Sequence, residues 1–362
     1  MSAAGTFSGG FSGGPDAALV DMMAAVFAEH RDRQPPSATV ERDLQLWRRL
    51  DELGLVRLTG AEEHGGSGAG WYEAAELLAA AVGHGVRVPL AEHDLLACWL
   101  LEASGTTADA AVRTVCVLGK NGTAADVPWA AAADRVVVGW RADGQFRVAD
   151  VARADLTITP GVNLVGEPRD TVAVDVSGLQ GTPIGLALIT QLRLKSGLVR
   201  AIQVCAALDR ILQMCVEHTT SRIQFGRPLS KFQAIQNLVS DIATETALAH
   251  AATEAALAAG VASQWSEPDL DFLIAVARSC AGHAASVAVR NAHQVHGAIG
   301  TTREHRLHEF TRAALAWRGE FGSMRYWDEQ VTDAAMHASA GGLWGLITGP
   351  LPELDADSSA GS

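Results

Sequence analysis

The residues that could do chemistry gather in the second half of this 362-residue sequence. In the stretch Ser221–Ser240, Arg222 precedes a Gln224-Phe225-Gly226 run, then Pro228, then a fresh helix start. Ser230 is spaced to cap that helix, and Gln233 three residues on completes the pattern of a capping box. An arginine fixed beside a helix start, with backbone amides nearby, suits an anion such as a pyrophosphate. The same pattern also serves as plain punctuation between two helices. Further along, His293, His296, His305 and His308 include i, i+3 pairs that could ligate zinc. No Cys, Asp or Glu accompanies them at ligand spacing, and histidines at helix ends commonly bond backbone, so no metal is expected. Glu309, Glu320, Asp328 and Glu329 offer carboxylates near the C-terminal turn, and any of them could act as a base if buried. A loop with glycines at 65, 66, 68 and 70 lacks a preceding strand, the Lys-Ser/Thr ending of a P-loop and G-x-G-x-x-G spacing. No G-x-S-x-G sits on a strand-turn-helix, which removes a hydrolase elbow.

Three textures must position these residues. Residues from about 16 to 111 read helical: Ala17–Glu29, Glu41–Leu53 with Leu44, Trp47 and Leu50 on one face, Trp71–Val82 and Glu92–Ala103. Residues 112–186 read as a small β domain. Thr114–Leu118, Arg135–Trp140, Gln145–Val148, Val151–Ile158 and Thr171–Val176 are its strands, and Asp143-Gly144 marks a hairpin. Residues 187–345 return to helix. Leu198–Glu217 is apolar nearly all round and reads as central in a bundle. Gln233–Ala259 follows, with Ile235, Val239, Ile242, Thr246 and Ala249 on one face. A helix from about Asp269 to His293, another over Leu307–Trp317 and a last one over Ser323–Ser339 complete the order. Residues 1–15 and 346–362 read as flexible tails.

Composition narrows the function classes. With 48% hydrophobic residues the chain can bury a large core. A net charge of −13 leaves no basic footprint for nucleic acid. No apolar run is read as long enough to span a bilayer. The N-terminus has neither the basic residues nor the apolar stretch of a secretory signal. Five cysteines with no CxxC pair point to reduced, buried thiols and a cytoplasmic setting.

Motifs and textures together resemble the acyl-CoA dehydrogenase family over about residues 16 to 340. SRIQFGRPLSKFQAIQN at 221–237 is similar to the family's R-x-x-F-G-x-x-x-x-x-x-Q segment. HQVHGAIGTTREHRLHEFTRAA at 293–314 resembles its Q-x-x-G-G-x-G segment, in the histidine-rich form of an actinobacterial branch. LWRRLDELGLVRLTGAEEHGGSG at 46–68 is similar to its N-terminal segment. The resemblance implies a mostly α fold with a helical N-terminal domain, a small β domain and a C-terminal four-helix bundle. It implies FAD between β domain and bundle, an acyl-CoA substrate desaturated at α,β, and an electron-transfer flavoprotein as electron acceptor. It assigns Arg222, Phe225 and Gln233 to the FAD adenosine-pyrophosphate of a neighbouring subunit, and Gln294 and Gly297 to the second flavin segment, with Ala298 in place of a glycine.

Two departures qualify that assignment. The T-E-P-x-x-G-S-D-like loop and the downstream Trp-Thr/Ser pair that cradle the flavin ring are not found between 115 and 186. The family's usual base position falls on Phe321, beside Glu320, and its alternative falls near Ser196, a poor base. The expectation is therefore a degenerate subunit of a heteromeric α2β2 enzyme acting on steroid side-chain CoA esters. A second acyl-CoA dehydrogenase chain would share the FAD and supply the base. Two alternatives stay open: a self-sufficient homomer with Glu320 as base, and a flavin-free relative with a structural or non-redox role.

Overall fold

The computed structural model describes residues 15–33, 40–266 and 269–348. Of the tails expected from the sequence, residues 1–14 and 349–362 lie outside that description, and 346–348 form the end of a helix.

The N-terminal domain holds α1 (Ala17–Arg33), α2 (Leu44–Glu52), α3 (Trp71–Gly83) and a π-helical turn, Ala91–Cys98, that runs into α4 (Trp99–Ala103). The start of α2 is set by Asp43, whose carboxylate accepts from the amides of Gln45 (2.7 Å) and Leu46 (3.0 Å). That start is later than the sequence implied and makes Leu44 the first residue of the helix. Leu46 and Leu50 are buried whereas Leu44 is exposed.

The β domain forms two sheets. One has the order β1 (Arg113–Val117), β3 (Arg135–Ala142), β4 (Gln145–Ala152), β7 (Thr182–Ile184). The other has the order β2 (Thr123–Pro128), β6 (Arg169–Ala173), β5 (Thr157–Thr159). The hairpin between β3 and β4 turns at Asp143 (φ 50°) and Gly144 (φ 82°), the pair of left-handed residues that a tight two-residue turn requires. Along β3 the side chains alternate. Val136, Val138 and Trp140 pack inside the β domain while Val137 joins the main core with the helices. One strand thereby serves two cores. The expected strand Val151–Ile158 is instead split by a turn at Arg153–Asp155, and β2 and β7 are additional to those read from sequence.

The C-terminal region is a bundle of α5 (Leu186–Ser221), α6 (Gln233–Ala262) and α7 (Leu270–His296). It is closed by α8 (Leu307–Trp317) against α5 and by α9 (Met324–Thr348) against α7. Between α5 and α6 stands a small hairpin, β8 (Ile223–Gln224) and β9 (Arg227–Pro228). Leu198, Ile202, Val204, Cys205, Leu208 and Ile211 of α5 are all fully buried, which fits its central place. Alanines at 277, 281, 284, 285 and 288 are buried on α7 and let neighbouring backbones approach. By length and composition the stretch Leu270–Thr301 could cross a membrane, which corrects the sequence expectation of no such run. Its apolar character is alanine-rich and turned inward, against α5, α6 and α9.

Gly181, just before β7, lies where an added Cβ would sit 2.2 Å from Trp140 Cη2, so any larger residue must displace the indole. Gly181→Ala is expected to lower the unfolding free energy by about 1–3 kcal/mol. Gly178→Ala, where a Cβ meets open space, should change it by less than about 0.5 kcal/mol. Urea midpoints of the two variants test the difference.

Candidate functional site

Arg222 is the residue that ends α5, its amide bonding to the carbonyl of His218 at 2.9 Å. The chain then turns through the β8–β9 hairpin with Phe225 at φ 51° and Gly226 at φ 77°. Arg222 is exposed, and Phe225 is 91% exposed with its ring 6.2 Å from that of Phe232. Phe225 is therefore not part of the core. The capping box is not formed either. Ser230 lies in a short 3-10 turn, Leu229–Lys231, and the helix is entered at Phe232 without a side-chain cap. Gln233 instead donates to Asn237 Oδ1 at 2.9 Å and is exposed.

Histidines bring the second segment to the same end of the bundle. His218 of α5 stacks on His296 of α7 with ring centroids 4.5 Å apart, and His305 leans on His296 at 4.7 Å. Asn291 of α7 donates to the carbonyl of Leu238 on the first turns of α6. The ends of α5 and α7 and the start of α6 therefore meet, and Arg222, Phe225, Gln233, Gln294 and Gly297 share one end of the bundle. Gln294 is exposed, and Gly297 takes φ 62° as the chain leaves α7. Stacked faces do not point ring nitrogens at a common centre, and among the described residues no His/Cys/Asp/Glu group could hold a metal ion. His218 is a member of this cluster that sequence spacing did not single out.

These imidazoles are held neutral. Burial is the main cause at His218, His293, His296 and His305, and it pushes His296 down to about 4. His296 Nδ1 lies 2.8 Å from the carbonyl of Ala292, while its Nε2 is buried without a partner.

The carboxylates near the C-terminal turn prove to be engaged. Glu309 takes both oxygens to Arg31 Nη2 at 2.7 Å, Asp328 accepts from Ser279, and Glu329 pairs with Arg325. Glu320 is the most tightly held. Arg169 grips it bidentately at 2.8 and 2.9 Å, Arg200 Nε donates at 2.7 Å and Asn163 Nδ2 at 2.9 Å. The contacts continue outward. Arg200 donates to Glu92 at 2.8 Å, and Glu167 accepts from Arg169 at 2.9 Å and from Trp317 Nε1 at 2.8 Å. The turn bearing Glu320 is itself pinned, because Arg278 of α7 donates to the carbonyls of Glu320 (2.8 Å) and Arg318 (3.1 Å). Burial alone would raise the Glu320 carboxyl, but Arg200 and Arg169 outweigh it and hold it at about 2. Phe321, at the family's base position, has φ 53° and lies under the Arg200 guanidinium. Ser196 is buried and donates to its own helix at Leu192, 2.7 Å away.

This cluster fills the seam between the β domain and the bundle. Asn163, Glu167 and Arg169 come from the β domain, and Arg200 and Glu320 from the bundle. They meet side chain to side chain, so at this point of the domain seam there is no space for a ring. The ring portion of FAD does not fit here. At the other end of the bundle, Arg222, Gln233 and Gln294 are exposed donors of the kind that suits a pyrophosphate and its nucleoside. The glycine loop is not a phosphate cradle, since the amides of Gly65, Gly66, Ser67 and Gly68 all bond to carbonyls within 57–62.

With the fold and these sites in place, comparison with known proteins gives the family. Residues 16–111 match the acyl-CoA dehydrogenase N-terminal domain and residues 185–332 match the acyl-CoA dehydrogenase C-terminal domain. The chain belongs to the acyl-CoA dehydrogenase family. The acyl-CoA dehydrogenase IpdE2 of Mycolicibacterium smegmatis is 27% identical over 311 residues, covering 82% of this chain and 91% of that protein. Among solved structures, the ChsE4-ChsE5 complex from Mycobacterium tuberculosis matches with a TM-score of 0.77 at 21% identity, covering 89% of this chain and 98% of that one. The Tcur3481-Tcur3483 steroid acyl-CoA dehydrogenase variant matches at 0.79 and 20% identity, covering 89% and 98%.

Glu320→Gln leaves Arg169 and Arg200 without their shared counter-charge and is expected to cost about 3–5 kcal/mol of stability, read by urea denaturation. The histidine cluster gives a separate acid dependence. A pKa lowered on folding means that the unfolded chain binds more protons below the ordinary value of 6.5. Stability should therefore fall as pH drops from about 6.5 towards about 4. His296→Asn, which can keep the bond to Ala292, should flatten that slope in melting curves taken across this window.

Proposed function

We propose that this chain is the degenerate subunit of a heteromeric FAD-dependent acyl-CoA dehydrogenase. A partner chain of the same family supplies the flavin-ring cradle and the catalytic base. This chain presents Arg222, Phe225, Gln233, Gln294 and Gly297 to the adenosine-pyrophosphate end of the partner's flavin. FAD, when bound, supplies the acceptor for the substrate's hydride. The observation that carries this reading is Glu320. A carboxylate held at about 2 between two arginines has little affinity for the α proton of a thioester at neutral pH.

Arg222 is suited to its role because its guanidinium is permanently charged, forked and exposed. Phe225, held outward by a left-handed turn, offers an apolar wall that a second chain would cover. The substrate class we infer is the CoA thioester of a steroid side chain. It rests on the resemblance to the actinobacterial branch and on a fold neighbour described as a steroid acyl-CoA dehydrogenase. The electron acceptor is an electron-transfer flavoprotein, and the setting is cytoplasmic. The self-sufficient homomer using Glu320 is the weaker reading on the same geometry. A flavin-free role is supported by the closed seam but leaves the exposed Arg222 end without a use.

Expression of the chain alone, and together with an acyl-CoA dehydrogenase homologue encoded next to it, tests the proposal through flavin absorbance. The chain alone should be colourless, and the pair should be yellow and reduce an electron-accepting dye with an acyl-CoA. A stoichiometrically flavinated protein from this chain alone would overturn the reading. In the complex, Arg222→Ala should weaken flavin retention about ten-fold or more, the loss of a charge-assisted hydrogen bond. Glu320→Gln, assayed below its melting temperature, should leave turnover intact.

A further inference from the structure

The residues proposed to meet the flavin's pyrophosphate come from separate stretches of chain, and three imidazoles hold those stretches together. His218 lies one helical turn before Arg222, whose amide donates to the His218 carbonyl at 2.9 Å. His296 lies two residues after Gln294 and directly before Gly297. His305 belongs to the segment that leads from Gly297 to α8. The rings close a triangle. His218 and His296 stack with centroids 4.5 Å apart and planes 26° from parallel. His305 lies 4.7 Å from His296 and meets His218 edge-on at 6.4 Å.

His296 is the centre of the triangle. Its Nδ1 donates to the carbonyl of Ala292 at 2.8 Å, in the last turn of α7, and that bond fixes the ring against its own helix. Its Nε2 is buried and meets no hydrogen-bond partner among the described residues, so ring faces rather than a second polar bond set what lies against it. Gly300 packs close by, where an added Cβ would sit 2.8 Å from His296 Cβ. His305 is fixed in turn, because its Nδ1 accepts from the Leu307 amide at 3.2 Å. Stacked rings have a defined separation and tilt, which makes them better spacers than flexible aliphatic side chains. The helix α6, which carries Gln233, is tied in by a different link, Asn291 to the Leu238 carbonyl.

We propose that His218, His296 and His305 are positioning residues for the nucleotide site: their stack sets the distance between Arg222 and the Gln294–Gly297 segment, so that both reach one pyrophosphate without reordering. The inference rests on the proposed function. The rings act through Arg222 and Gln294 and are given no contact of their own with the flavin. Donors already placed by folding lose less freedom when the ligand arrives, and that saving appears as affinity. A role in packing alone has a different signature. It lowers the stability of the chain and leaves the affinity of the folded complex unchanged.

The test is a fluorescence titration of FAD into the flavin-stripped complex of this chain with its partner, with melting temperatures read on the same samples. His218→Ala should weaken FAD binding about three- to ten-fold, the worth of one stacked pair. His218→Phe keeps a flat ring and should return the affinity to within about two-fold of the wild type. In an Arg222→Ala background His218→Ala should lose most of its effect, because the rings act through that arginine. Should His218→Ala fail to assemble, His305→Ala, at the half-buried corner of the triangle, gives the same comparison. Wild-type affinity in the alanine variant, an equal loss in His218→Phe, or an undiminished loss in the Arg222→Ala background would each overturn the proposal. A wild-type complex that binds no FAD, or Arg222→Ala with wild-type affinity, defeats the proposed function itself. A normal Arg222 effect without a histidine effect defeats this inference alone.

Discussion

The fold depends on a carboxylate caught between two arginines. Glu320 stands on a short turn after α8, yet it joins the β domain through Arg169 and the N-terminal domain through Arg200 and Glu92. Buried charges of this kind are costly unless every member is matched, and breaking one contact exposes the others to the full desolvation penalty. The cluster is therefore cooperative. It also has a chemical consequence, because the field that fixes Glu320 removes its basicity.

The molecule thereby separates two tasks between its ends. At the domain seam, charged side chains fill the interior and pair with one another. At the far end of the bundle, the β8–β9 hairpin holds Phe225 in a conformation that non-glycine residues rarely adopt and turns it to the outside. Left-handed backbone at an exposed aromatic is a cost, offset within the described residues by an edge contact with Phe232. The stacked imidazoles beneath it are neutral and keep two helix ends together without placing net charge under Arg222.

Much of this was legible from residue order. The three textures and the Asp143-Gly144 hairpin follow from local periodicity and turn chemistry. The motifs at 221–237 and 293–314 were visible as segments, but their meeting at one end of the bundle was not read from spacing. What the sequence concealed was long-range. Arg169, Glu167, Glu92 and Arg200 are far apart along the chain, and no spacing rule links them. A weak signal existed: Arg200 and Arg278 interrupt otherwise apolar helical runs, and an arginine on a buried helix face requires a partner. The capping box failed for a local reason. The spacing of Ser230 and Gln233 was right, but a 3-10 turn carried Ser230 out of the cap position before the helix began. Leu44 was misassigned because Asp43 caps the helix, which leaves Leu44 as its first residue.

The helix α5 runs unbroken from Leu186 to Ser221. Arg200 and the base of the Arg222 hairpin are both fixed to this single rod. The distance from Arg200 to Arg222 is about 33 Å, and each residue along it turns the helix by about 100°. Losing or gaining one residue there would swing the hairpin a quarter-turn around the bundle while the seam stayed where it is. Side chains on this helix can drift over evolutionary time, but its length cannot, so insertions and deletions in relatives should collect in loops and spare this segment.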